Sequence, residues 1–463
     1  MTDLLISGGT IITMDAERRI IADGAVAVVD GRIANVGPRA EVEAAHPNPR
    51  RRISGQGKAV MPGLIDAHGH AGHGLVKTMG SGDSQGWFNA CRQIYTHASP
   101  PSFWRAEGAL SALERLSFGI TTGVSVLGGG DCVMRVDDAA HGTAHAEGVA
   151  RIGIRDVMAV GYCRPPFPNT YDGRPVSAER QLEVMQELFT TLHNRGRQSL
   201  CTMMPVYRGD EANRALITAQ GQDMLVLSEK FGALFHQDGH RAGSIAEAHE
   251  AFGLLWPGAF LSHCTDLTDG DIAALVETGA HVVHNPTAIA AVRGFCPVAK
   301  LLDAGVNVIL GSDGTAPDRS TDMFRHMVMA RRYAQRAAAS EKLLPPGRVL
   351  EMCTVDAARA LGMPDLGALS PGMLADIITV DLTAPHMAPA NMPLWRVVCF
   401  ASGSDVRDVV VGGDVLMQDR MMPGIDVGAV VAEAEAEAAA MLAASGLGAM
   451  IEEVPGWGLT RFP

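Results

Sequence analysis

Val60-Met-Pro-Gly-Leu-Ile-Asp-Ala-His-Gly-His70 is the stretch on which the reading of this chain turns. An apolar run, Ala59 to Ile65, ends in Asp66 and then in two histidines one residue apart. Side chains alternate sides along a strand. If the run is a buried strand, His68 and His70 therefore point the same way from its C-terminal end. Two imidazoles so placed can share one metal ion, and the rest of the chain is asked for the missing ligands.

Downstream of this run, short apolar runs keep recurring. Eight of them, near 60–66, 120–126, 153–161, 199–206, 231–236, 258–263, 279–284 and 306–312, are each followed by a loop and a helix-like stretch. Amphipathic segments lie between them, among them 103–116, 178–193, 222–230, 246–252, 269–277 and 298–304. Eight alternating units point to an α/β fold, a (β/α)8 barrel. A doubly wound open sheet is the alternative, weakened because no G-x-G-x-x-G follows the first strand. Residues 2–57 read as short strands (4–6, 10–14, 25–29, 32–36) with an Asp30-Gly31 hairpin turn, a small all-β piece. Residues 371–381 and 406–417 return to β character, and both ends are expected to build one small β-sandwich domain. The expected organisation is 1–58 and 366–425 for that domain, 59–365 for the barrel, and 426–463 for an Ala/Glu-rich helix and tail.

Composition excludes several classes. A net charge of −13 argues against nucleic acid and anionic membranes as partners. No run of about 18 apolar residues suggests a membrane span, and the N-terminus reads as a strand, not a signal peptide. The eight cysteines (91, 132, 163, 201, 264, 296, 353, 399) are scattered, without a C-x-x-C pair. They read as reduced thiols, and the expected compartment is the cytoplasm.

In a barrel, reactive residues collect at the C-terminal ends of the strands. Strand 1 offers His68 and His70, strand 5 His236, strand 6 His263, strand 7 His284 and strand 8 Asp313. Several histidines with a carboxylate suit Zn²⁺ or another borderline divalent ion. His249 and His281 are read as structural, and His73, His141, His145 and His240 as loop residues that could be on the surface. Asp66 could be only a cap or turn residue.

Pro62-Gly-Leu-Ile-Asp-Ala-His-Gly-His70 resembles the signature of the amidohydrolase superfamily. Leu261-Ser-His-Cys-Thr-Asp-Leu-Thr-Asp, His284-Asn-Pro-Thr and Leu310-Gly-Ser-Asp-Gly-Thr-Ala-Pro resemble its chlorohydrolase and aminohydrolase branch, which includes triazine hydrolases and cytosine, guanine and adenosine-type deaminases. The likeness extends to Gly372-Met-Leu-Ala-Asp-Ile. It implies metal ligands at His68, His70, His236 and Asp313, a strand-6 histidine, His263, facing water or substrate, and a homo-oligomer, dimer or tetramer. Many superfamily members bridge two metals with a lysine ending strand 4. Here 199–210 holds no lysine, and Lys58, Lys77, Lys230, Lys300 and Lys342 all fall elsewhere. One divalent metal per subunit is expected, zinc first, with cobalt, iron or manganese as alternatives.

Deaminases of the branch carry a glutamate three residues after the strand-5 histidine. This chain reads His236-Gln-Asp-Gly-His240, so that position is Gly239, flanked by Asp238 and His240. The expectation is therefore a hydrolase cleaving a C–N or C–S bond of a urea-, carbamate- or thiocarbamate-like molecule. Asp313 acts as base, His263 polarises the oxyanion, and Asp313, Asp238 or His240 protonates the leaving group. A heteroaromatic deaminase or dechlorinase is the alternative, and an inactive scaffold the third reading. Substrate contacts are expected from His284, Tyr207, Arg208 and Trp87, with loops 80–89 and 162–171 as an apolar wall.

Overall fold

The apolar run before His68 is not one strand but two. Lys58–Pro62 runs in the sheet built by the chain ends, and Leu64–Asp66 is the first barrel strand. Gly63 makes the crossing, where a Cβ would lie 2.2 Å from Thr121 Oγ1, so a side chain has no room. The computed structural model describes residues 1–80, 83–129, 133–165, 167 and 170–461.

The barrel strands are Leu64–Asp66, Ile120–Leu127, Arg155–Gly161, Gln198–Met203, Phe235–Gln237, Ala259–Ser262, His281–His284 and Val308–Leu310. They pair in that order, all parallel, and the two-residue strand His70–Ala71 adds to the second. Between the last strand and the first, Ala67 N–H donates to Leu310 O at 3.1 Å and Asp313 N–H to His68 O at 2.8 Å, which closes the ring. The alternation read from the sequence thus gives the barrel rather than the open sheet. Residue 231, expected in strand 5, instead ends the helix Arg214–Phe231.

The chain ends form one hydrogen-bonded path in the order Asp414–Met417, Val406–Val411, Ile377–Asp381, Lys58–Pro62, Leu4–Ile12, Ile20–Val29, Arg32–Pro38, with Arg51–Ser54 beside Leu4–Ile12. Asp30 (φ 49°) and Gly31 (φ 73°) are both left-handed, as a two-residue hairpin requires. The N-terminal piece is not all β: Arg39–Ala45 is a short helix. This sheet encloses its own apolar cluster, including Ile6, Val26, Ile53 and Ile377, apart from the barrel core.

The C-terminal helix Val427–Ser445 packs on the barrel helix Pro101–Ser117. His141 and His145 are not loop residues; they sit buried on the helix Ala139–Ile152. Among the described residues no helix is long and apolar enough to cross a membrane. Seven cysteines are free thiols, and Cys132 lies outside the described residues.

Candidate metal centre

Each element contributes to the site by ending where it does. His236 is in register with Met203 and Phe260 on the neighbouring strands, and it faces the barrel mouth near His68. His263 (φ 65°) and Asp313 (φ 63°) hold left-handed backbones, a strain of about 1–3 kcal/mol each that a functional site accumulates. The turn at Asp313 is fixed from below. Asp66, no mere turn residue, accepts from Ser312 N–H at 2.8 Å, Ser312 O–H at 2.7 Å and Arg115 Nε at 3.3 Å.

The strand ends bring His68, His70, His236, His263 and Asp313 together, and Asp238 joins them. His68 Nε2 is 3.3 Å from Asp238 Oδ1 and 3.7 Å from Asp313 Oδ1. His70 Nε2 is 3.1 Å from Asp313 Oδ1 and 3.5 Å from Asp238 Oδ2. His263 Nε2 is 3.1 Å from Asp238 Oδ1. His236 Nε2 faces His68 Nδ1 at 3.0 Å.

The electrostatics are those of buried groups in close opposition. Burial opposes charge on His68, but Asp238 and Asp313 outweigh it and raise the imidazole to about 10. Burial also works against the Asp238 carboxylate, yet His68 and His263 hold it well below the usual carboxylate range. Asp313 is depressed too, against its burial, by Arg319 and the histidines. Burial, then the charge of His68, pushes His236 well below 6.5.

A divalent cation fits this donor set. His70 Nδ1–H donates to Gly128 O at 3.0 Å, which leaves its Nε2 lone pair facing the centre, while His236 Nδ1–H donates to Phe260 O at 2.7 Å and its Nε2 lies against His68 Nδ1, beside the two groups that meet there. His68 Nε2 is buried without a hydrogen-bond partner. The 3.1–3.7 Å gaps between these atoms match donors spread around an ion with bonds of about 2.0–2.2 Å. Two clusters, His68/His70/Asp313 and His68/Asp238/His263, share the centre. A third, Asp137/His141/Asp172, surrounds buried Arg135, whose guanidinium already donates to both carboxylates.

The remaining expectations divide. Trp87 and Arg208 line the cavity over the centre, of about 550 Å³, together with His73, Phe88, Arg241, Arg293 and Arg319. Tyr207 turns its hydroxyl to Gln220 at 3.1 Å beneath the Arg164 guanidinium. His284 is fully buried with neither ring nitrogen bonded, and burial lowers it to about 3. His240 is buried, not on the surface, and its nitrogens meet Ser244 Oγ at 2.9 Å and Gln237 Oε1 at 3.2 Å. His249 lies 3.6 Å from Glu277, and His281 beside Asn307, both away from the mouth. Of the expected wall loops, residues 81, 82, 166, 168 and 169 lie outside the described residues. The first loop is mostly the start of a helix, Ser84–His97, capped by Asp83.

Sequence reasoning missed three contributors. His73 is no surface residue: it is buried and stacked on His70 at 4.6 Å, with Trp87 edge-on at 5.1 Å. Its only signal was the third histidine in His68-Gly-His-Ala-Gly-His73. Arg319 reaches 3.6 Å from Asp313, and Arg241 follows His240 directly; neither has a motif to mark it.

Comparison with known proteins agrees with this geometry. The profile of the amidohydrolase family matches residues 233–416, and that of an imidazolonepropionase-like composite domain of bacteria matches residues 24–48. A 5-methylthioadenosine/S-adenosylhomocysteine deaminase of Syntrophobacter fumaroxidans is 34% identical over 93% of this chain and 96% of its own. A 5'-deoxyadenosine deaminase of Methanosarcina mazei is 28% identical over 96% and 99%. An adenosine deaminase from Xanthomonas campestris, solved with bound zinc, superposes with a TM-score of 0.82 at 25% identity over 95% and 99% of the two chains. The fold is shared with atrazine chlorohydrolase from Arthrobacter aurescens, complexed with zinc (TM-score 0.77, 21% identity, 94% and 100% covered). This chain belongs to the amidohydrolase family, in its deaminase and chlorohydrolase branch, and is a metal-dependent hydrolase of carbon–nitrogen bonds.

Proposed function

We propose that this enzyme is a hydrolytic deaminase of an adenine-type nucleoside, with one divalent ion, zinc first, held by His68, His70, His236 and Asp313. The relatives favour this reading, the alternative weighed above, over the urea, carbamate or thiocarbamate substrate expected first. That expectation rested on the missing glutamate at Gly239, whereas the relatives matched over most of their length are named deaminases. The observation that carries the reading is Asp238. Its carboxylate lies 3.1 Å from His263 Nε2 and 3.3 Å from His68 Nε2, beside a residue 239 whose Cβ position is open. A neighbouring acid can thus do the work of the absent one.

The bound ion would supply Lewis acidity, lowering the pKa of water from 15.7 toward ~7. Asp313, held ionised, accepts a proton from the attacking water. Asp238, also held ionised, takes that water's second proton and passes it to the ring nitrogen next to the carbon under attack, and His263 donates to the oxygen that gains charge there, a contact worth about 3 kcal/mol. The bond to the exocyclic nitrogen then breaks, ammonia leaves with the proton returned from Asp313, and a ring carbonyl remains. His240 is left out of the relay because both its nitrogens are engaged. Trp87 and Phe88 give the base an apolar wall.

The test is product identity, with adenosine, 5'-methylthioadenosine and a disubstituted phenylurea as substrates. Ammonia from the nucleosides is expected, and Asp238→Asn should lower kcat by about 10²–10⁴ while zinc content stays near one per chain. Amine from the urea with no ammonia from the nucleosides, or a fully active Asp238→Asn enzyme, would overturn the reading.

A further inference from the structure

The cavity over the metal centre is charged against the grain of the chain. The protein carries −13 overall, yet Arg208, Arg241 and Arg293 stand exposed at the cavity's mouth. They come from three separate loops, after barrel strands 4, 5 and 7. Among the described residues, no carboxylate lies within 4.0 Å of any of the three guanidinium groups. Most arginines of this protein that sit near an acid pair with it, as Arg197 does with Asp414 and Arg155 with Asp376.

The two arginines deeper in the cavity are committed elsewhere. Arg319 donates to Gly314 O at 2.7 Å and Ala316 O at 2.8 Å, beside Asp313. Arg164 donates to Val206 O and lies over the Tyr207 ring. The acids at the floor, Asp238 and Asp313, lie among His68, His70 and His263, with Arg319 3.6 Å from Asp313. Among the described residues, no acid pairs with the other three.

Their backbones are nevertheless fixed. Gly209 N–H, next to Arg208, donates to both oxygens of Glu247, at 3.0 and 3.1 Å. Arg241 N–H donates to Ser244 Oγ at 2.9 Å, and the residue bridges Thr265. Arg293 N–H donates to Ile289 O at 2.6 Å. Anchored backbones with unpaired planar cations suit an oxyanion, which a guanidinium can bind through two parallel hydrogen bonds.

We propose that the substrate carries a carboxylate or phosphate on the end remote from the amine that is hydrolysed, bound at the cavity mouth by Arg208, Arg241 and Arg293. The inference rests on the deaminase reading for where the amine sits. It narrows the substrate class to adenine-type nucleosides with an anionic tail.

The full-length zinc-loaded enzyme tests it with three probes: adenosine, adenosine 5'-monophosphate and S-adenosylhomocysteine. At low ionic strength at least one anionic probe should show a KM about ten-fold or more below that of adenosine. The advantage should shrink in 1 M salt, where the screening length is about 3 Å. In an Arg208→Gln/Arg241→Gln double variant the ratio of the two KM values should collapse, while Arg336→Gln on an outer helix keeps it. Which anionic probe loses more tells phosphate from carboxylate. Calorimetric binding of adenosine 5'-monophosphate to wild type and double variant reads the mouth without turnover. If no nucleoside releases ammonia but that binding still depends on the arginines, the deaminase reading fails and the anion site stands. Equal KM values for neutral and anionic probes in the wild type, or binding unchanged in the double variant, would overturn the anion site itself.

Discussion

Asp66 is the residue on which the metal centre's geometry hangs. It is fully buried and joins strand 1 to the turn that carries Asp313, through Ser312 and Arg115. Arg115 also donates to Ser125 Oγ at 2.9 Å and Val124 O at 2.8 Å, so strands 1 and 2 and the turn after strand 8 meet at one ion pair. Removing one member of a buried pair strands the other charge. Asp66→Ala should cost about 3–5 kcal/mol in urea unfolding, and zinc occupancy should fall with it; a loss under ~1 kcal/mol would deny Asp66 this role. Much of the site was legible at this scale. His68, His70, His236, His263 and Asp313 stand at strand ends, and strand ends can be counted in a sequence. Asp238 was legible only as a neighbour of a gap, because motif spacing pointed at Gly239 and the side chain's reach is a property of the loop. His73 was misread because its burial depends on Trp87, which arrives on a helix the sequence had offered as a loop.

At the scale of elements, helix starts above the barrel are tied by a single carboxylate. Asp271 closes a capping box with Thr268 on its own helix, Asp269–Thr278. It also accepts from Gly243 N–H at 2.6 Å and from Ile245 and Ala246 N–H at 3.0 Å, at the start of the helix Ser244–Glu250. Those amides have no partner within their own helix, and a carboxylate suits the positive end of the helix dipole. Burial raises the Asp271 carboxyl, but the amides of Ala246, Gly243 and Thr268 outweigh it and set it below its ordinary value. A depressed carboxyl stabilises fully above the unfolded value of ~4 and loses that contribution as pH falls through the lower folded value. Asp271→Asn should therefore cost about 1–3 kcal/mol at neutral pH. The gap between variant and wild type should close in acid, measured by urea titration at pH 7 and below pH 4; a gap that widened in acid would contradict the sign. Element types were largely readable from periodicity, and the failures have physical causes. Ala59 to Ile65 looks continuous because both of its halves are buried, one in each sheet. Only the contact between Gly63 and Thr121, 58 residues on, reveals the crossing.

At the scale of the whole molecule, the two sheets share one run of chain, and Asp376 fastens them a second time. Lys58–Pro62 pairs with Leu4–Ile12 and Ile377–Asp381, while two residues later Leu64–Asp66 belongs to the barrel. Gly63 N–H, between them, donates to Asp376 O at 3.0 Å. The Asp376 carboxylate takes a two-point contact from Arg155 on barrel strand 3, at 3.0 and 3.1 Å, and a further bond from Gly412 N–H at 2.7 Å. Its side chain is 3% exposed and that of Arg155 14%, so the pair is desolvated. Asp376→Ala would leave Arg155 without its partner at the junction of two apolar cores, at a cost of about 3–5 kcal/mol. With strand 58–62 and strand 64–66 joined by a single residue, the barrel's first strand cannot leave without pulling on the middle of the other sheet. Calorimetry of the wild type and of Asp376→Ala should then each give one transition, lower in the variant. Two separated transitions in the variant would mean that the Arg155–Asp376 contact, and not the shared run of chain, is what couples the sheet to the barrel.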